Sequence, residues 1–414
     1  MPGAHGPQLV VDAGIPFEGL LREDFYRVAW TEGPGWTRSA LAGADAICVR
    51  SSTRVDAELL EGTPVRMVAT ATSGTDHLDL EWLADRDIAV YAAPGSNAVA
   101  VAEYVWANLR ALIPDLLVTR PRIGIVGCGQ VGQCVARRAA LLGLEVCVSD
   151  PPRALAEPDF CDRPLDEVLN SEVVTLHVPL TQGGPFPTAN LLDARRISAI
   201  APGTVVINAA RGGVLDERAL AAAILDKDLR AILDCWVGEP QIDPQLLKRA
   251  QVATPHCAGH TLDAKQRGAR FVTEALEAFF RPGLVPAPVM SEEPADGMPA
   301  RSAEPQADEP QSELRAQPAA VTRGGAGTNA SDMQPALDAE GYLGLLAEQV
   351  DFEAVTLELK ALAGAEPATR AAGFANIRRR AGLRQELGLA FRDQYRVGTP
   401  VADPHLPQGP VQIV

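Results

Sequence analysis

Among the 414 residues there is no apolar run that approaches the roughly 20 residues of a membrane span. The first residues also lack the pattern of a signal peptide. Positive charge is scarce, because 37 lysines and arginines are set against 53 aspartates and glutamates, for a formal net charge of −16. Nucleic acid and anionic membranes are therefore unfavourable partners. We expect a cytoplasmic protein that needs a locally basic pocket for any anionic ligand.

Paired cysteines are missing as well. The seven cysteines are scattered without a Cys-x-x-Cys pair, which argues against the usual spacing of zinc sites and dithiol redox sites. Cys48, Cys128, Cys147 and Cys235 lie in predicted strands or beside a glycine turn. Such positions are typical of small buried residues in a reducing compartment. We therefore expect neither disulfides nor a bound metal.

A complete dinucleotide-binding pattern is present. The apolar β-branched run 123–126 leads into Gly127-x-Gly129-x-x-Gly132, a helix rich in Ala, Leu and Arg, and a second strand at 145–149. The glycines allow a tight turn, close approach of the backbone to a pyrophosphate and close helix packing. The helix N-terminus adds free N–H groups and a partial positive charge. The predicted contacts here are Gly127, Gly129, Gln130, Val131 and Gly132.

Asp150 follows the second strand of this pattern. A carboxylate at that position accepts hydrogen bonds from both ribose hydroxyls and repels a 2′-phosphate. The pattern therefore predicts NAD rather than NADP as the cofactor. Arg153 lies close enough in sequence to weaken that preference.

Three later segments each place a polar side chain after a predicted strand. They are VINAARGGVLDE (206–217), LDCWVGEP (233–240) and ATPHCAGHT (253–261). Arg211 is suited to clamp a carboxylate with two parallel hydrogen bonds. His256 is suited to move a proton near neutral pH, and Glu239 to hold that imidazole and raise its pKa. Together they suit oxidation of a 2-hydroxy acid.

Strands alternate with helices in the first part of the chain, which predicts an α/β fold of doubly wound parallel sheets. We expect a discontinuous, flavodoxin-like substrate domain, residues 1–96 and 262–284, and a Rossmann-like NAD-binding domain, residues 97–261. Apolar residues at helical spacing over 97–118 predict one long helix. The predicted strands are QLVVDAG, AICVRSS, RMVATATSG and IAVYAAPG, then 123–126, 145–149, 172–177, 205–208, 230–234 and 251–254.

The composition then changes. Residues 285–335 are rich in Pro, Glu and Ala and bury too little apolar area to offset chain entropy, which predicts a disordered linker. Helical periodicity over 337–362 and 374–395 predicts a small C-terminal element, residues 336–414. The run Arg378 to Arg380 lies in it and fits either a solvated basic face or a site for phosphate or an acidic protein surface.

From about Val10 to Phe280 these motifs resemble the D-isomer-specific 2-hydroxyacid dehydrogenases. The shared signature is G-x-G-x-x-G, N-x-x-R-G, a strand-end Asp before G-E-P, and P-H-x-A-G. The resemblance implies an NAD-dependent enzyme that forms a homodimer. Residues 374–398 look like a weak version of the family's terminal dimerisation region.

A narrower set of segments is similar to the members that oxidise a phosphorylated four-carbon 2-hydroxy acid during pyridoxal phosphate synthesis. The resemblance thus implies a small phosphorylated hydroxy acid as substrate. The segments are VRSSTRV (49–55), ATATSGTDHLD (69–79), APGSNAVAVAEYV (93–105), SDPPR (149–153) and DCWVGEP (234–240).

The resemblance also implies roles for single residues. The substrate carboxylate would bind Arg211 and amides near Ser73 and Gly74, while His256 would take the C2 hydroxyl proton and Glu239 would hold the other imidazole nitrogen. His260 replaces the family's usual Tyr and is still able to donate to a phosphate or hydroxyl. The residues carried over by motif are Ser51 and Thr72 as substrate contacts, and Asp150, Val178, Asp234 and Gly259 as cofactor contacts. Arg50 and Arg54 flank Ser51 and are our own candidates for the substrate phosphate.

Two alternatives stay open at this point. Another member of the superfamily, acting on 3-phosphoglycerate, glycerate or glyoxylate and hydroxypyruvate, has the same generic signature. An NAD-sensing scaffold protein with this fold is the other alternative, although it would not need all three catalytic side chains.

Overall fold

Two sheets of six strands each form the framework of the chain. The computed structural model describes residues 6–282, 339–349, 351–382, 384–387 and 411–412. The linker predicted for 285–335 lies outside these residues. The strands of the first sheet are β1 (Gln8–Asp12), β2 (Arg27–Thr31), β3 (Ala46–Val49), β4 (Met67–Thr70), β5 (Ala89–Ala92) and β12 (Val411–Gln412). Those of the second are β6 (Ile123–Val126), β7 (Val146–Ser149), β8 (Val173–Leu176), β9 (Val205–Asn208), β10 (Arg230–Leu233) and β11 (Val252–Ala253).

Both sheets have the strand order of doubly wound folds. The first runs β12-β5-β4-β3-β1-β2 and the second β11-β10-β9-β8-β6-β7. In the second sheet every pair is parallel, and in the first only β12 is antiparallel to its neighbour. The α/β class predicted from the sequence is confirmed. In such sheets ligands bind beyond the carboxyl ends of the strands.

Fourteen α-helices are found in the part of the chain that the structure describes. They are α1 (Ala57–Leu60), α2 (Leu80–Ala84), α3 (Ala98–Leu112), α4 (Leu116–Thr119), α5 (Gln130–Leu141), α6 (Pro151–Ala156), α7 (Leu165–Val168), α8 (Ala194–Ala199), α9 (Glu217–Asp226), α10 (Pro244–Arg249), α11 (Leu262–Phe280), α12 (Ala339–Gln349), α13 (Phe352–Ala361) and α14 (Pro367–Ala381). Within the described ranges, no helix combines the length and the apolar character needed to cross a bilayer.

Two details differ from the sequence prediction. The single helix predicted over 97–118 is divided into α3 and α4, because Pro114 lacks an N–H and clashes with the preceding turn of a continuous helix. Strand β2 is not among the predicted strands. It lies at the sheet edge, and most of its residues are exposed or half-buried, so it lacks the apolar run that marks the central strands.

Helix α11 returns to the first sheet after the second sheet is complete. Its residues Ala269, Val272 and Leu276 are buried in the same core as Leu9 and Met67 of that sheet. This return places the turn before α11, which follows His256, at the boundary between the two sheets.

The C-terminal helices belong to the cores of the second sheet. Tyr342 and Phe352 are buried in one core, on the α3 side, and Leu359 and Phe374 in the other. Thr356 Oγ1 accepts a hydrogen bond from Ala253 N at 3.0 Å, so α13 covers the exposed edge at β11. The helix predicted over 374–395 is instead α14, which starts earlier and ends at Ala381. Much of the predicted remainder lies outside the described residues.

Candidate active site

The glycine turn after β6 has the shape that a dinucleotide needs. Gly127 has φ +86°, and a Cβ there would lie 2.6 Å from Val178 Cγ1. A Cβ on Gly132 would lie 2.1 Å from Gly127 O, which shows how closely α5 packs on the strand. A Cβ on Gly129 would meet no heavy atom within 4 Å. The space before the N-terminus of α5 is therefore open to a pyrophosphate.

Asp150 and Arg153 are both tied to this turn. Asp150 Oδ2 accepts from Cys128 N at 2.7 Å and Oδ1 from Arg153 N at 3.1 Å. Arg153 donates to Cys128 O and pairs with Glu157, each at 2.8 Å. Its charge is thus offset by Glu157, while Asp150 presents a carboxylate beside the turn. The site fits the ribose of NAD better than a 2′-phosphate.

The other predicted cofactor residues surround the same turn. Gln130 lies against the backbone of Gly95, because a Cβ on Gly95 would lie 3.2 Å from Gln130 Cγ. Val131 follows in the first turn of α5. A Cβ on Gly259 would lie 2.6 Å from Asn97 Nδ2, so only glycine lets this loop approach the start of α3.

His256 and Glu239 form a hydrogen-bonded pair at the carboxyl end of the second sheet. His256 Nδ1 lies 3.0 Å from Glu239 Oε2 and 3.2 Å from Oε1. Trp236 N donates to Glu239 Oε1 at 2.8 Å, which fixes the carboxylate. The imidazole remains 33% exposed, so it is accessible to a ligand as well as held. This is the arrangement of a general base and its orienting acid.

Asp234 holds the loop that presents His256. Its buried carboxylate accepts from Thr254 Oγ1 at 2.6 Å, Cys257 N at 2.8 Å and Ala258 N at 3.0 Å. His256 itself has φ +52°, a left-handed conformation that is costly for a residue with a Cβ. Asp234 stabilises that conformation. The structure thus gives Asp234, expected as a cofactor contact, a positioning function.

The neighbours of the imidazole set its proton affinity. The adjacent Cys235 sulfur and the Glu239 carboxylate raise the pKa of His256 well above its usual value, against the opposing effect of burial. Burial raises the pKa of Cys235, while the nearby His256 lowers it. Potential metal-ligating atoms of Cys235, Glu239 and His256 lie within 4.8 Å of one another. His256 Nδ1 and the Glu239 carboxylate are already hydrogen-bonded to each other, so this proximity is explained without a metal ion.

Arg211 connects the two sheets. Its Nε pairs with Asp76 at 3.0 Å and its Nη1 donates to Ala210 O at 2.7 Å. A Cβ on Gly74 would lie 2.0 Å from Arg211 Nη2, so the guanidinium lies directly against the Gly74 backbone. Thr72 Oγ1 donates to Gly74 O at 2.9 Å and thereby shapes this loop. The arginine and the amides expected to share a carboxylate are thus brought together.

The other substrate candidates divide into two groups. Arg378 Nη2 lies 2.9 Å from His260 Nε2, which joins the C-terminal helix to the loop after His256. Arg50 directly follows β3 and is held by Asp12, at the end of β1, at 2.8 Å. Arg54 is different, because its side chain is 74% exposed and pairs with Asp56.

Ser51 lies exposed in the turn after β3. Its hydroxyl has no described contact that ties it to the catalytic pair.

Some members of the site carry no local sequence signal. Asp76 precedes His77 in a polar loop, and only the fold brings it to Arg211. Burial lowers the pKa of His77 to about 4, so that imidazole is neutral. The run of three arginines draws attention to Arg378, but nothing in the sequence indicates that Arg378 lies beside His260. Lys265 lies in the amphipathic helix α11, and its Nζ donates to Gly382 O at 3.3 Å, directly after α14.

The comparisons with known proteins agree with this geometry. Residues 98–258 match the family model of the D-isomer specific 2-hydroxyacid dehydrogenase, NAD binding domain. Among solved structures, the NAD-dependent formate dehydrogenase of Staphylococcus aureus in complex with NAD is 25% identical with a TM-score of 0.55, covering 66% of this chain and 96% of that chain. The TT0316 protein of Thermus thermophilus is 28% identical with a TM-score of 0.56, over the same shares of each chain. The fold and site define an NAD-dependent D-2-hydroxyacid dehydrogenase.

The sequence relatives are more specific. The erythronate-4-phosphate dehydrogenase of Edwardsiella ictaluri is 41% identical over 299 residues, covering 68% of this chain and 78% of that protein. The protein of the same name from Escherichia coli (strain UTI89 / UPEC) is 40% identical over 276 residues, covering 66% of this chain and 73% of that protein. The chain belongs to the erythronate-4-phosphate dehydrogenase family. The resemblance inferred from the motifs is confirmed, and about a third of the chain lies outside each match.

Proposed function

We propose that this protein oxidises 4-phospho-D-erythronate at C2 to 2-oxo-3-hydroxy-4-phosphobutanoate, with NAD, in the synthesis of vitamin B6. The observation that carries the proposal is at the carboxyl end of the second sheet, where Arg211 lies against Gly74 and His256 is paired with Glu239 at 3.0 Å. The family relatives, at 41% identity in the case of Edwardsiella ictaluri, support this choice among 2-hydroxy acids.

Arg211 binds the substrate carboxylate in this scheme. Its Nε is held by Asp76 and its Nη1 by Ala210 O, so the plane of the guanidinium is fixed before a substrate arrives. Nη2 and the Gly74 backbone then offer donors on the same side. A preorganised clamp of this kind lowers the entropic cost of orienting C2.

His256 takes the proton of the C2 hydroxyl. Because Nδ1 faces Glu239, the imidazole accepts the proton at Nε2. Glu239 stabilises the imidazolium that results, as the acid of a catalytic triad does. When bound, NAD supplies the acceptor for the C2 hydride. Oxidation needs neutral His256. Because the pKa of His256 is raised, the neutral fraction becomes large only at more alkaline pH than for an ordinary histidine.

The residues that would hold NAD lie around the glycine turn. Gly129 leaves room for the pyrophosphate, and Asp150 would accept from the ribose hydroxyls. The remaining contacts, kept as proposals, are Gly127, Gln130, Val131, Gly132, Val178, Asp234 and Gly259.

A substrate comparison tests the proposal. The full chain would be incubated with NAD, a 2-oxo acid as terminal acceptor and either 4-phospho-D-erythronate or 3-phosphoglycerate, with the products followed by mass spectrometry. We expect turnover of 4-phospho-D-erythronate. Good turnover of 3-phosphoglycerate with none of 4-phospho-D-erythronate would contradict the proposal. Fluorescent NADH binding without turnover of any hydroxy acid would instead favour the scaffold alternative.

A cytoplasmic homodimer is also part of the proposal. The dimer is supported by the resemblance of residues 374–398 to the family's dimerisation region. The location is supported by the seven cysteines, which are scattered without a Cys-x-x-Cys pair. We also propose that residues 1–96 and 262–284 form the substrate domain and residues 97–261 the NAD-binding domain. The return of α11 to the first sheet supports this division. Light scattering that gives the mass of a single chain at assay concentration would contradict the dimer.

A further inference from the structure

Positive side chains surround His260, shortly after the catalytic His256. Arg378 donates through Nη2 to His260 Nε2 at 2.9 Å. Lys265 Nζ donates to Gly382 O at 3.3 Å, and a Cβ on Gly382 would lie 3.1 Å from His260 Cβ. Arg50 acts electrostatically on both His260 and Lys265. Burial, together with these cations, lowers the pKa of His260 well below its usual value. The ring is therefore neutral and accepts the hydrogen bond from the guanidinium.

Protein groups do not satisfy Arg378 completely. Its Nε is buried and has no hydrogen-bond partner among the described residues. A buried donor without an acceptor is costly unless a ligand or water completes it. The neighbouring Arg380 pairs with Glu358 and Arg379 is exposed. Of the three consecutive arginines, only Arg378 is directed at the loop of the active site.

The segment after α14 fixes this arrangement. The Arg384 guanidinium donates to the carbonyl of Ala258. Glu386 Oε1 accepts from Thr261 Oγ1 at 2.7 Å and from Arg267 Nη2 at 2.5 Å. These buried contacts join the C-terminal segment to the loop that carries His260. Arg378 is thus part of a built site rather than a loose surface side chain.

We propose, on the basis of the proposed function, that Arg378, Lys265 and Arg50 bind the phosphate of the substrate, so that helix α14 completes the active site of its own chain. A phosphate monoester carries a charge of about −1.5 to −2 and three strong acceptor oxygens. Among the described residues neither Arg378 nor Lys265 forms an ion pair. Asp12 offsets part of the charge of Arg50 at 2.8 Å.

The position of this site suits the substrate. His260 N donates to Cys257 O at 2.9 Å, in the turn that directly follows His256, so the cationic group lies in the same loop as the side chain that acts on C2. The carboxylate is bound elsewhere, by Arg211 and the loop at Gly74. His260 is then a positioning residue, because its Nε2 orients Arg378, and it does this where the family usually has Tyr.

The test separates phosphate recognition from folding. Arg378→Met and the control Arg379→Met remove one charge each from adjacent positions on α14. In the full chain, Arg378→Met should lower kcat/KM for 4-phospho-D-erythronate by about 10- to 100-fold, mostly through KM. With D-erythronate, which has no phosphate, kcat/KM should stay unchanged. Inorganic phosphate should inhibit wild type competitively, and Arg378→Met should weaken that inhibition by a similar factor. Arg379→Met should change none of these quantities.

Equal losses on both substrates would overturn the proposal, and so would unchanged kinetics. If Arg378→Met lowers the melting temperature or weakens NADH binding, Arg378→Lys and Lys265→Met are measured with the same pair of substrates. If neither variant loses its preference for the phosphorylated substrate, the proposal is also overturned. If wild type does not oxidise 4-phospho-D-erythronate, the proposed function fails. The phosphate site would still stand if inorganic phosphate inhibits the acid that is turned over and Arg378→Met removes that inhibition.

Discussion

Replacing Glu239 by glutamine tests how the proton on His256 is controlled. Glu239 Oε2 lies 3.0 Å from His256 Nδ1, and its side chain is 20% exposed. Glutamine keeps the shape of the side chain and a carbonyl oxygen that accepts from Nδ1–H, but it removes the negative charge. The Glu239→Gln variant therefore isolates the electrostatic contribution of the carboxylate.

The size of the effect follows from that contact. An opposite charge within hydrogen-bond distance shifts a pKa by about 1–3 units, and partial exposure favours the lower part of that range. Oxidation needs neutral His256, so its rate rises as pH passes the raised pKa. In Glu239→Gln this rise should occur about 1–2 pH units lower. Because the imidazolium loses its partner, the maximal rate should fall by about 10- to 100-fold.

The assay is kcat/KM for oxidation as a function of pH at constant ionic strength, with the reverse reduction measured in parallel. Glu217→Gln is the matched control. Glu217, at the start of α9, accepts a hydrogen bond at 2.7 Å from the backbone N of Val237, which lies in the same loop as Glu239. Burial raises the pKa of Glu217 to about 7, so this group titrates in the same range. A pH profile that moves in Glu217→Gln and not in Glu239→Gln would refute the assignment.

Other predictions concern the base, the cofactor and the chain connection. His256→Asn should lower kcat by about 10²- to 10⁴-fold while NADH fluorescence still reports binding, and near-normal turnover would remove His256 from its role. Asp150→Asn should weaken NAD binding and reduce the preference over NADP, as measured by the ratio of kcat/KM values; an unchanged ratio would contradict the ribose contact. Limited proteolysis should cut first within 285–335, and the two fragments should co-elute on gel filtration because α12, α13 and α14 lie in the cores of the second sheet. Separate elution would contradict that packing.

The parts of the fold that the sequence predicts well are determined locally. The strand, glycine turn and helix around Gly127 are contiguous, and Gly132 is required by a contact within that unit, because a Cβ there would lie 2.1 Å from Gly127 O. The strand ends before Arg211, Glu239 and His256 also follow from nearby apolar runs. Because parallel strands bring their carboxyl ends to one edge, these three side chains are predicted to meet without any knowledge of long-range contacts.

The parts that the sequence predicts poorly depend on contacts between distant segments. The motif does not indicate that the Asp234 carboxylate also accepts hydrogen bonds from Thr254 and Cys257, in the loop that carries His256. The arginine run in α14 has the same composition whether it faces solvent or His260. Only packing of the helix on the second sheet selects Arg378, and no local pattern encodes that choice.

The hydrogen bond between Ala253 and Thr356 has a consequence for synthesis of the chain. It joins residues 103 positions apart and satisfies the edge strand that leads directly into Thr254 and His256. A ribosome that has completed the second sheet has not yet made the segment that seals this edge. The catalytic loop therefore acquires its final support only near the end of translation.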